Sequence, residues 1–197
     1  MFRIPGKKVL ELLILLPEKV HKWSDTGDNM ASGLKRTSAD FFVSAKVIET
    51  AADTYTETTI TLPLNALDRE VFVITGIIFD PATPSSLPNL QCDSNLQLTR
   101  QSATNILRMS AFNLIGKSVE TILGGVAEFD FFSKSYGNQQ IESGQDYVDV
   151  VATPNMFMGV LGNNNTGPLT SDIRVYGYRA QADVSVYSAL IASELNA

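Results

Sequence analysis

From Asp40 onward the chain changes its hydrophobic period, and this change restricts the fold more than any other feature of the sequence. Phe41, Val43, Ala45 and Val47 alternate with Phe42, Ser44, Lys46 and Ile48, the two-residue repeat of a strand. The repeat continues through residues 55–62, where Thr56, Thr58, Ile60 and Leu62 share a side. Residues 70–79 form an unbroken β-branched and aromatic run, which predicts a strand covered on both faces. Residues 96–99, 126–133, 147–151 and 157–161 read as further strands, and 173–186 as one long strand region with a kink near 180–182. Residues 106–112 fit strand or helix equally. Leu114, Ile115, Val119, Ile122 and Leu123 predict a short helix stopped by Gly124-Gly125. Residues 80–89 hold three prolines and read as a loop. Thr153-Pro154-Asn155 and the Asn-rich 162–168 are further breaks. Long loops between short strands argue against a simple meander and for Greek-key crossings. The expected fold class is therefore mostly β: a single jelly-roll or Greek-key β-sandwich of about eight strands, with an N-terminal helical arm and one short helix in a connection.

The residues before this region follow a different repeat. Val9, Leu12, Leu13, Leu16, Val20 and Trp23 recur at three- and four-residue spacings, the stripe of an amphipathic helix. Pro17 divides it into a helix over 7–16 and a second one starting at the proline. Residues 24–38 have little periodicity and read as a linker. The expected organisation is thus an arm and linker over 1–38 and a β-sandwich domain over 39–197. Charge divides in the same way. Residues 1–36 hold seven Lys/Arg against four Asp/Glu, a balance of +3, and residues 37–197 hold eight against seventeen, a balance of −9. So acidic a body repels phosphate backbones. Contact with nucleic acid or an inner membrane surface therefore falls to the arm, through Lys7, Lys8, Lys19 and Lys22. The apolar stretch 9–16 contains Glu11 and is too short for a membrane span. It also lacks the cleavage site of a signal peptide.

The search for chemistry finds little. Cys92 is the one cysteine and falls in a stretch, 87–95, that reads as loop. His21 is the one histidine, so neither a Ser-His-Asp triad nor a histidine-based zinc site can be assembled. Asp68 with Glu70, Glu128 with Asp130, and Asp146 with Asp149 are carboxylate pairs at strand ends or on one strand face. They could serve a glycoside hydrolase or hold calcium, but charge on strand edges is the commoner reason for such pairs. Gly124-Gly125 lacks a phosphate-binding context, and Asn164-Asn165-Thr166 matches a glycosylation sequon that also reads as a polar turn. Tyr176, Tyr178 and Tyr187, with Phe129, Phe131 and Phe132, offer either a sugar-stacking platform or core and interface aromatics. No cofactor or metal and no enzymatic activity are expected. Charged residues make up only 18% of the chain, which suits a surface covered by neighbouring subunits.

The order of these features, from a positively biased arm through about eight strands with long loops to a long closing strand region over 172–188, resembles the single jelly-roll capsid proteins of small icosahedral viruses. The segment Thr153-Pro154-Asn155-Met156-Phe157-Met158-Gly159-Val160, followed by an Asn-rich loop and Ile173-Arg174-Val175-Tyr176, is similar to stretches of phage and virus structural proteins. The arm departs from the pattern, being mildly basic and helical where many such arms are Arg-rich. The resemblance implies a structural virion protein that assembles with copies of itself into a closed shell in the host cytoplasm, with other virion proteins as further partners. In that reading the stripe Val9, Leu12, Leu13, Leu16, Val20 and Trp23 is an assembly arm. The alternative is a carbohydrate- or receptor-binding β-sandwich of a fibre or spike, and a carboxylate-dependent hydrolase is the third reading.

Overall fold

The computed structural model describes residues 33–125, 131–135, 138–140 and 146–195. The arm helices, His21 and the Glu128–Asp130 pair lie outside these residues. Eleven strands, a 3-10 turn and a helix follow one another: β1 (Leu34–Arg36), β2 (Phe41–Ile48), β3 (Thr56–Thr61), the turn Ala66–Asp68, β4 (Glu70–Asp80), β5 (Gln91–Thr99), β6 (Leu114–Leu123), β7 (Phe131–Ser135), β8 (Asn138–Gln140), β9 (Asp149–Val151), β10 (Asn155–Asn163), β11 (Thr170–Ala182) and α1 (Val184–Leu195).

All pairings are antiparallel and they form two sheets. In the first, β1 and β2 pair with successive parts of β11, β11 pairs with β4, and β4 carries β8 and β9 on its far side. The second runs β3-β10-β5-β6-β7. The pairs β2–β11, β3–β10, β4–β9 and β5–β6 are those of one long hairpin. Rolling that hairpin brings β11 beside β4 and β10 beside β5, which splits it into two facing sheets. That is a jelly roll.

The core lies between the sheets. Phe72, Ile74, Ile77 and Phe79 of β4, with Ile173 and Val175 of β11, meet Ile60, Leu96, Leu98, Met156, Met158 and Val160 of the second sheet. Each such side chain contributes about 1.5–3 kcal/mol on leaving water. In β4 the register against β11 shifts between Tyr176 and Gly177, leaving Thr75 as the extra residue of a bulge. Gly177 is obligatory there, because a Cβ would stand 2.2 Å from the Val73 carbonyl oxygen. The bulge lets β4 send both Phe72 and Ile77 into the core although five residues separate them, an odd spacing that plain alternation forbids.

Four expectations need correction. Residues 114–123 are the strand β6 rather than a connecting helix. The inward side of β6 carries Ser118 opposite Leu96 and Glu120 opposite Ser94, so polar residues erased the two-residue apolar repeat, while Val119, Thr121 and Ile122 favoured extension. The long strand region stops at Ala182, and α1 follows. Cys92 belongs to β5 and is fully buried, with its thiol donating to the Asn164 carbonyl at 3.1 Å. Residues 106–112 take neither regular form. In addition, β1 lies in the stretch expected to be a linker, where Leu34 is buried.

Candidate assembly surface

Each sheet has an outward face, and a connection crosses that of the second sheet at the Gln97 row. Register places Glu57, Gly159, Gln97 and Lys117 in a row across β3, β10, β5 and β6. Tyr55 lies over Gly159, where a Cβ would come within 2.3 Å of the phenol oxygen. The Gln97 amide donates to that phenol oxygen at 3.1 Å and to the Asn105 carbonyl at 3.0 Å, and its oxygen accepts from Leu107 N at 2.7 Å. Glu57 accepts from Ser102 Oγ at 2.7 Å, Ala103 N at 2.9 Å and the Tyr55 hydroxyl at 3.0 Å. The loop over 100–113 is thereby tied down across the row, and Gln97 has no exposed surface. Burial pushes the Tyr55 phenol above its ordinary pKa, and the Glu57 charge adds to the rise. Burial also lowers the Lys117 ammonium, which donates to the Leu107 carbonyl at 3.3 Å.

The outward face of the first sheet is finished over only half its length. At one end α1 lays Val186, Tyr187, Leu190 and Ile191 on a second apolar cluster that includes Val71, Val73, Tyr178, Ala180 and Ala182. Glu194, 2% exposed, anchors the helix by accepting from Ala152 N at 2.7 Å and Thr153 N at 2.9 Å. Beyond Tyr178 the helix gives no cover. The register there gives three rows across β2, β11 and β4: Lys46, Asp172 and Asp80; Ser44, Arg174 and Ile78; Phe42, Tyr176 and Gly76. Phe42 and Ile48 are each 54% exposed and Ile78 40%. A shallow groove of about 340 Å³ runs between Ser44, Ile78, Asp80, Asp172, Ile173 and Arg174. The Arg174 guanidinium stacks over Phe42 at 4.8 Å and donates to the Tyr176 hydroxyl at 3.4 Å. Asp80 and Asp172 stand directly opposite each other, and among the described residues neither carboxylate has a side-chain hydrogen bond or ion pair.

This surface contains few of the residues singled out from sequence. Lys7, Lys8, Lys19, Lys22 and the stripe Val9, Leu12, Leu13, Leu16, Val20 and Trp23 lie outside the described residues. The chain enters the fold at Gly33, whose carbonyl accepts from Asp183 N at 2.9 Å, next to Val186 of α1. Asp68 and Glu70 are engaged by the Asn65 turn, with Glu70 also 3.6 Å from Arg179. Asp149 is ion-paired with Arg100. Neither of these two pairs lines the groove. Of the candidate aromatics, Tyr178 lies beneath α1, Tyr187 is on α1 and packs against the same cluster, and Tyr176 is in the bare half, 6.0 Å from Phe42. Phe129 is outside the described residues. The Asn-rich turn is structural: Asn165 accepts from Ser85 N at 2.8 Å and donates to the Asp93 carbonyl at 2.8 Å. Sequence reasoning missed the Asp80–Asp172 pair, since 92 positions separate its members and only the roll of the hairpin brings them together.

Among the described residues no three His, Cys, Asp or Glu side chains cluster as a metal site, and no helix is long and apolar enough to cross a membrane. No protein-family model matches the chain, and no curated protein matches it in sequence. Among solved structures it is similar to apo chimpanzee polyomavirus VP1, with 7% identity, 77% of this chain and 99% of the other covered, and a TM-score of 0.39.

Proposed function

We propose that this chain is a structural subunit that works by packing against copies of itself, as a shell-forming protein of a virion. The observation that carries the reading is the half-finished outward face of the first sheet. Phe42, Ile48 and Ile78 are exposed on one outward face, interspersed with Ser44, Lys46, Asp172 and Arg174, and large apolar side chains left uncovered on a sheet face suit a protein contact. A jelly roll also suits tiling, because its sheets form a rigid wedge while its loops vary freely. A specific contact there would bury on the order of 1,000 Å² or more. Residues 7–23 serve as an assembly arm in this reading, with its lysines as the only candidates for touching a genome or an inner membrane.

The second reading is a glycan- or receptor-binding module, favoured by the Phe42–Tyr176 pair. Their rings are tilted by 52°, and Arg174 already occupies one face of Phe42. The pair therefore does not form the flat platform on which a sugar stacks. Light scattering and negative-stain microscopy of the full chain decide between the readings. Large closed particles or defined oligomers that dissociate on Phe42→Ser with Ile78→Ser are expected. A monomer at all concentrations that binds an immobilised glycan would overturn the proposal.

A further inference from the structure

We infer that the bare half of the first sheet is the seat of this chain's own arm, with the stripe of residues 7–23 on Phe42, Ile48 and Ile78 and its lysines over Asp80 and Asp172. The inference deepens the assembly reading because it rests on the same surface, but it does not require a shell. An arm that latches onto its own subunit satisfies it as well as one given to a neighbour.

Four observations converge on this occupant. The first is electrostatic. Like charges directly opposite one another on a sheet are destabilising, and Asp80 faces Asp172 without a cation between them. Arg174 is engaged with Phe42 and Tyr176, and Lys46 lies on the far side of Asp172. A ligand that brings ammonium groups relieves the opposition, and the arm has Lys7, Lys8, Lys19 and Lys22. The second is apolar. The stripe needs a partner, because an isolated helix of this length is marginal in water, and Phe42, Ile48 and Ile78, exposed on the same face as the carboxylates, offer apolar surface for it. The third is position. Gly33 enters beside α1, the element that covers the other half of this same face. The fourth is reach. The bare half begins at Tyr176, six residues along β11 from the Ala182 end, or about 20 Å. Residues 24–32 span up to about 30 Å when extended. The helix over 7–16 would be about 15 Å long, which fits within the roughly 20 Å from Tyr176 to Thr170 along the bare half.

Trp23 is the one tryptophan, so the full chain reports on its own arm. In the unmodified protein we expect blue-shifted Trp23 emission that acrylamide quenches poorly. Asp80→Lys with Asp172→Lys should repel the arm and raise the quenching constant several-fold, and Lys19→Glu with Lys22→Glu added to that background should restore protection. Trp23 quenched like free tryptophan in the unmodified protein, or protection that survives the double lysine variant, overturns the inference. Should the lysine variants not fold, carbodiimide coupling of the unmodified chain followed by peptide mapping decides instead. A zero-length link from an arm lysine to Asp80 or Asp172 is expected, and its absence counts against the seat. Particle size read in the same samples separates the two claims. A protected Trp23 in a monomer defeats the shell and keeps the seat, whereas particles with an exposed Trp23 do the reverse.

Discussion

The outward faces of the two sheets are built from the same kind of alternating strand but are completed by different means. The second sheet uses a local device. A buried amide, Gln97, and a carboxylate, Glu57, take hold of the backbone of the loop over 100–113, so the cover belongs to the neighbouring connection and its cost is met by hydrogen bonds. The first sheet uses the helix that directly follows its central strand, α1, and the cover ends where the helix ends. The row under that loop has its amide and carboxylate engaged by the loop backbone. A face closed by apolar packing over half its length leaves the rest available, and the available part lies where charge and apolar surface coexist.

This difference can be tested by parallel damage to each face. The largest loss is expected at Gly159→Val, whose side chain would displace Tyr55 and with it the loop's anchor. Chemical denaturation should record a loss of about 2–3 kcal/mol. Gln97→Ala leaves Leu107 N and the Asn105 carbonyl without their partner. It should cost about 2 kcal/mol, with hydrogen exchange accelerating in residues 101–109 and little changed in β4. On the other face, Phe42→Ser with Ile78→Ser should move stability by no more than about 0.5 kcal/mol per site while abolishing self-association by light scattering. If the two faces gave equal losses, the distinction drawn between them would fail.

The smallest effect is an alkaline one. The Tyr55 phenol is held above its ordinary value of 10.0 in the folded state, chiefly by burial. Below pH 10 it is neutral in both states and its contribution is fully present. As pH rises past 10 the unfolded chain gives up the proton first, so folding stability falls. Tyr55→Phe should flatten that alkaline decline in urea midpoints. Tyr178, also raised by burial, keeps part of it.

Wherever one chemical pattern served one structural purpose, the sequence was readable. β4 is both β-branched and buried on both faces, and β2 alternates because one side meets the core. Reading failed where purposes mixed. β6 points Ser118 and Glu120 inward, so its alternation carries no apolar signal. Val184-Ser185-Val186-Tyr187 alternates like a strand yet opens α1, because the apolar positions Val186, Tyr187, Leu190 and Ile191 fall on one side of a helix and pack on the sheet. The groove was illegible for a topological reason. Its rows come from β2, β4 and β11, segments brought side by side only by the roll, and no local repeat records which carboxylate will face which.

That roll also sets an order of events during synthesis. β11 is the centre of the first sheet, with β2 on one side and β4 on the other, yet it is the last of the described strands in chain order. Until it leaves the ribosome, the two strands that will flank it have unsatisfied edges and no shared partner. A nascent chain halted before Thr170 therefore cannot hold half of its sandwich. The first sheet should form only after β11 is made, with pairings of such long sequence separation making that step slow.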